Sequence, residues 1–149
     1  MGLFDFLKED SKDKQALRAF VNEVIPEGDK YTFVYSTFED PIIFTNNFMA
    51  YSYVVAFKNG EKKFYIIPVG IDKGRVLGGE TMVITKDVVK KVSHSSYTSI
   101  TTIKFNDDRN DLMYSTTATM ISAPGMSASQ TSLSQREEHK QYVAFIKGF

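Results

Sequence analysis

Two aromatic-rich apolar runs flank Asn59-Gly60 in the stretch 48–69, FMAYSYVVAFKNGEKKFYIIPV. Asn and Gly tolerate the positive φ angles of a type I′ turn, whose twist matches that of the flanking strands, so the dipeptide predicts a β-hairpin. A two-residue loop there predicts a register that pairs Lys58 with Glu61, Phe57 with Lys62, Val55 with Phe64, Tyr53 with Ile66 and Tyr51 with Pro68. Alternation then puts Tyr51, Tyr53, Val55, Phe57, Phe64 and Ile66 on one face, predicted to be core. Ala50, Ser52, Val54, Ala56, Tyr65 and Ile67 form the other. That second face is apolar enough at Val54, Tyr65 and Ile67 to predict a covering helix.

The rest of the chain extends this sheet. Residues 1–10 read as a tail whose Leu3, Phe4, Phe6 and Leu7 offer either a docked turn or a peripheral membrane contact. Residues 11–25 carry Leu17, Phe20, Val21 and Val24 at helical spacing, with Asp10 or Ser11 as the cap and Pro26 and Gly28 as the stop. Strands are predicted at 30–38, 42–56, 62–69, 81–85, 88–92, 97–105 and 112–120, with a turn at Glu39-Asp40-Pro41. The glycine-rich segment 70–79 reads as a loop. Residues 121–133, small and polar, read as a flexible linker. Ser134 and Glu137 form an S-x-x-E capping box for a helix over 134–148, with Tyr142, Phe145, Ile146 and Phe149 on its apolar side.

The 149 residues suit one domain. Eighteen basic and eighteen acidic side chains balance, so no general attraction draws the chain to nucleic acid. Without cysteine, disulfides, thiolate metal sites and a cysteine nucleophile are excluded, and a reducing cytoplasm is the expected compartment. The start, MGLFDFLKEDSKDK, does not read as a signal peptide, and Phe6 departs from the myristoylation pattern at Gly2.

Candidate chemistry is sparse. His94 and His139 each lack a partner at ligand spacing and read as surface or helix-face side chains. Asp107, Asp108, Asn110 and Asp111 lack the glycine of a calcium loop and enclose Arg109, so they read as a solvated turn. Neither a nucleophile elbow nor a phosphate loop is present, which predicts no enzyme and no cofactor. What remains is basic. Lys58, Lys62 and Lys63 crowd the hairpin tip, Lys73 and Arg75 sit in the next loop, and Lys90 and Lys91 follow a later strand. Lys62, Lys63, Lys73 and Arg75 are the candidates for contact with an anion or a partner, on the expectation that the loops cluster at one end of a barrel.

Seven strands followed by a capped helix is the element order of pleckstrin-homology-like domains. The stretches ITKDVVKKV, TSITTIKFNDDRNDLMYS and QREEHKQYVAFIKGF resemble the later strands and closing helix of bacterial members. The resemblance implies an α+β fold: a curved antiparallel sheet or half-barrel, with an N-terminal helix outside it and a C-terminal helix capping it. A phosphoinositide site is not carried over, because the first hairpin has no basic pair where lipid-binding members place one. The expected function is a non-enzymatic binding or scaffold module acting on an unknown protein partner through a sheet edge or exposed loops. The alternative is a carrier of a small apolar ligand or lipid between sheet and helix.

Overall fold

A computed structural model of the chain describes residues 12–43, 49–72, 75–120 and 133–149. It is an α+β fold. Helix α1 (Lys12–Val24) is followed by strands β1 (Thr32–Ile43), β2 (Met49–Phe57), β3 (Lys63–Asp72), β4 (Arg75–Gly78), β5 (Met82–Thr85), β6 (Val89–His94), β7 (Ile100–Phe105) and β8 (Leu112–Ser115). Two short strands, β9 (Thr119–Met120) and β10 (Leu133–Ser134), lead to helix α2 (Arg136–Gly148). The large sheet is antiparallel, in the order β4-β3-β2-β1-β8-β7-β6, with β5 also on β3.

β5 pairs with the first half of β3 and β4 with the second half, so β4 and β5 act as one interrupted strand. Gly79 N–H bonds Pro68 O at 2.8 Å within the interruption. Counting β4 and β5 together, the large sheet has seven strands, and the β9–β10 pair follows before α2. The sheet must bend sharply. In a flat sheet β5 and β6 would lie six strand spacings apart, roughly 29 Å. Yet three residues join them, a reach of at most ~15 Å.

The bend is centred on a seam. β1 and β8 pair at one position, Thr37 with Ser115. Around it, the buried hydroxyls of Ser36 and Thr116 meet at 2.5 Å. Gln135, 1 % exposed, closes the rest. Its side chain accepts from Tyr35 N–H at 2.7 Å and donates to Tyr35 O and Thr117 O, both at 2.8 Å. A side-chain amide thus takes the place of a missing strand neighbour.

α2 lies over the inner face. Tyr142, Phe145 and Ile146 pack with Tyr53, Val55, Phe57, Phe64, Ile66, Ile103 and Tyr114. The Phe57 and Phe145 rings stack at 5.1 Å. Burying Phe145 and Ile146 contributes about 1.5–3 kcal/mol each. α1 covers the outer face of the first half-sheet, where Leu17 and Val21 join Val54, Ala56, Tyr65 and Ile67. Both hairpin faces are therefore buried, each under its own helix.

Several sequence expectations need correction. The hairpin register runs Phe57 with Phe64, Val55 with Ile66 and Tyr53 with Pro68, two residues away from the expected one. Lys58 O accepts from Glu61 N–H at 3.1 Å, and Gly60 has a positive φ of 86° while Asn59 does not, so the turn is not type I′. The wider connection sets Phe57 opposite Phe64 rather than opposite a lysine. An even slip leaves every side chain on its expected face.

The Glu39-Asp40-Pro41 turn is absent, and β1 continues through it. Between Thr37 and Ile42 the register takes five steps along β1 against two along β2. That bulge accommodates a proline with no N–H to give. Part of the glycine-rich loop is strand β4. The predicted strand 112–120 breaks between β8 and β9, and the predicted strand at 97 starts instead at Ile100. Ser134 belongs to β10 rather than capping α2; Gln135 occupies the cap and makes no side-chain capping bond there. The expected caps Asp10 and Ser11, the tail and residues 121–132 of the linker lie outside the described residues.

Candidate functional site

Of the four candidate cations, the three within the described residues, Lys62, Lys63 and Arg75, do not come together. Lys62 is exposed at the hairpin tip. Lys63, the next residue, points to the other face, with its ammonium 5.6 Å from the Tyr65 ring centroid. A hydrogen bond to the Tyr65 hydroxyl, more than charge, raises the Lys63 pKa. Arg75 pairs with Asp72 at the far end of β3, nine residues from Lys63 and so roughly 30 Å away. Lys73 lies outside the described residues. β3 itself thus separates Arg75 from the hairpin tip.

The fold builds a different basic group around Lys62. The Lys58–Glu61 turn, the β5–β6 turn and the end of α2 meet at the sharp corner of the sheet. Two shallow hollows adjoin there. One, of about 450 Å3, is lined by Glu61, Lys62, Lys86, Phe145 and Phe149 among others. The second, of about 290 Å3, is lined by Lys86, Val89, Lys90, Lys91, Val92 and Phe149. Lys86 and Phe149 belong to both, and the Lys86 ammonium sits 5.4 Å from the Phe149 ring centroid. The rims are cationic and the floors apolar.

One strand further on, Lys104 stands directly opposite Lys91 in the β6–β7 register. Like charges in that position destabilise a sheet. Among the described residues, none of Lys62, Lys86, Lys90, Lys91 and Lys104 makes an ion pair. The nearby carboxylates are engaged elsewhere. Glu61 accepts from Tyr31 OH at 2.8 Å and lies 3.9 Å from Lys58. A hydrogen bond from the Thr85 side chain, then one from backbone, hold the Asp87 carboxylate below its usual range.

Other polar groups serve the fold. Under α2, His94 Nδ1 contacts Thr101 Oγ1 at 2.9 Å, Thr101 contacts Tyr142 OH at 2.7 Å, and Tyr142 donates to Tyr114 OH at 2.8 Å. Burial raises the Tyr142 pKa to about 12 and pushes Tyr114 well up. Burial, then the charges of Lys147 and His139, lowers that of His94. An open groove of about 530 Å3 lies between α1 and α2 over the start of β1. Its cations are tied down: Lys14 pairs with Glu138, and Arg18 donates to the carbonyls of Gly28 and Tyr31. In the acidic turn, Asp107 binds the Arg109 guanidinium at 2.9 Å.

The grouping of Lys62 with Lys90 and Lys91 was accessible from sequence as loop cations. Lys86 was not singled out, and Phe149 was read only as part of the apolar side of the closing helix, since the fold alone brings them beside Lys62. Compared with protein-family models, curated proteins and solved structures, the chain matches none. Among the described residues no helix is long and apolar enough to cross a membrane.

Proposed function

We propose that the chain is a non-enzymatic binding module of pleckstrin-homology-like type that engages a protein partner in the cytoplasm. Seven strands and a closing helix, on a sharply bent sheet, support the type. One observation carries the binding reading: four lysines, Lys62, Lys86, Lys90 and Lys91, none in an ion pair among the described residues, gather at two adjoining hollows with an apolar floor although the whole chain is neutral. Such a concentration works against stability and favours an anionic partner. The sheet edges offer less. One is interrupted between β4 and β5, and β6 carries a bulge at Val89–Lys91 and two lysines, devices that block strand addition. The apolar-carrier alternative draws less support, because the 530 Å3 groove is open and rimmed with charge.

Site-specific photo-crosslinking tests the reading. A benzophenone side chain at position 90 captures a discrete protein partner, while the same probe at position 113, on the outer face of β8, does not. Capture from position 113 alone would place the function elsewhere on the molecule.

A further inference from the structure

Resting on that binding reading, we infer that the corner receives an extended acidic segment of a partner protein, with an apolar side chain set between its carboxylates. The two hollows dictate this form. They adjoin across Lys86 and Phe149, so a ligand spanning both meets Lys62 on one side and Lys90 and Lys91 on the other. Between these cations the floor is Phe145, Phe149, Val89 and Val92, which favours an apolar group there.

Two other anionic partners fit less well. A bilayer would be met by protruding apolar side chains, but the exposed large ones among the described residues are Val24, Val83, Tyr97 and Met113, none of which lines either hollow. Single-stranded nucleic acid needs an open aromatic face for stacking. The Phe149 ring has Lys86 near it and an edge-on contact with Phe64 at 5.1 Å.

The test is fluorescence anisotropy of the intact chain with a labelled peptide alternating Glu and Leu. Saturable binding that tightens at low salt is expected. The double change Lys86→Glu with Lys90→Glu weakens it about tenfold, the sum of two modest ion pairs. Lys104→Glu reverses one charge on the other face of the sheet and leaves binding unchanged, so the loss follows the corner and not the net charge. Replacing Glu by Gln in the peptide abolishes binding, and replacing Leu by Ser weakens it. The inference is overturned if the peptide fails to bind, if binding ignores the double lysine substitution, or if phosphatidylserine vesicles bind and the peptide does not. If the peptide fails while photo-capture from position 90 succeeds, this inference falls and the binding reading stands.

Discussion

The Gln135 side chain bonds both backbone groups of Tyr35, a residue one hundred positions earlier in the chain. It does so where β1 and β8 part, and Gln135 N–H also bonds Ala118 O at 2.8 Å just before α2 begins. One residue thus links the first half-sheet, the segment after β8 and the helix that covers both.

Replacing Gln135 by Met, similar in size, removes three buried hydrogen bonds, two of them to the Tyr35 backbone. Each unpaired buried group costs about 1–3 kcal/mol, so a loss on the order of 3 kcal/mol is expected in urea unfolding. Gln135→Glu keeps the bond from Tyr35 N–H but sets a carboxylate oxygen against the carbonyls of Tyr35 and Thr117. It is expected to lose at least as much, and a loss below about 1 kcal/mol for both variants would contradict this account of the seam.

Lys104→Glu replaces a like-charge pair across β6 and β7 with an opposite one. A gain of about 0.2–1 kcal/mol is expected, shrinking as salt is added. Thermal unfolding at two ionic strengths measures it.

Gly60 has φ 86°, and a Cβ there would meet nothing within 4 Å. Gly60→Ala therefore costs conformational strain alone, about 1 kcal/mol by chemical denaturation. At Gly28 a Cβ would overlap the Val21 carbonyl. Gly28→Ala should cost clearly more, because backbone must move.

The pKa of His94 lies below its ordinary 6.5 because its ring is partly buried and faces Lys147 and His139, with Thr101 and Tyr142 as neutral neighbours. As pH falls, the unfolded chain takes up this proton first. Stability is therefore fully present above about pH 6.5 and declines below it. The urea midpoint should drop between about pH 7 and pH 5.5, and His94→Asn should flatten that drop.

Tyr53 and Tyr142 behave in the opposite sense. Burial raises both to about 12 from an ordinary 10.0. The unfolded chain loses these protons first as pH rises, so their contribution is present below pH 10 and lost above it. Tyr142→Phe leaves the Thr101 and Tyr114 hydroxyls short of a partner, for an expected loss of about 1–2 kcal/mol at neutral pH.

Much of this fold was legible because periodicity survives small errors. Tyr53, Val55, Phe57, Phe64 and Ile66 reached the core although their register was misjudged, since a slip of two preserves alternation. The apolar stripe of α2 was equally plain at Tyr142, Phe145 and Ile146. Pro41 misled because a strand bulge and a turn share the same local chemistry. Gln135 was not singled out because its partners lie far away in sequence. The binding corner was half legible: Lys62, Lys90 and Lys91 stood out as loop cations. The length of β3 separates them from Arg75, and the turn between β5 and β6 joins them to Lys86 and Phe149.

Amide chemical-shift mapping of the intact chain, titrated with the Glu–Leu peptide, tests the central claim that the lysine corner is the binding surface. The predicted result is a contiguous set of shifts at residues 59–62, 86–92 and 144–149, with the rest of the spectrum unmoved. Shifts centred on Thr32 and Gln141 in the groove between the helices, or on Met113, would contradict it.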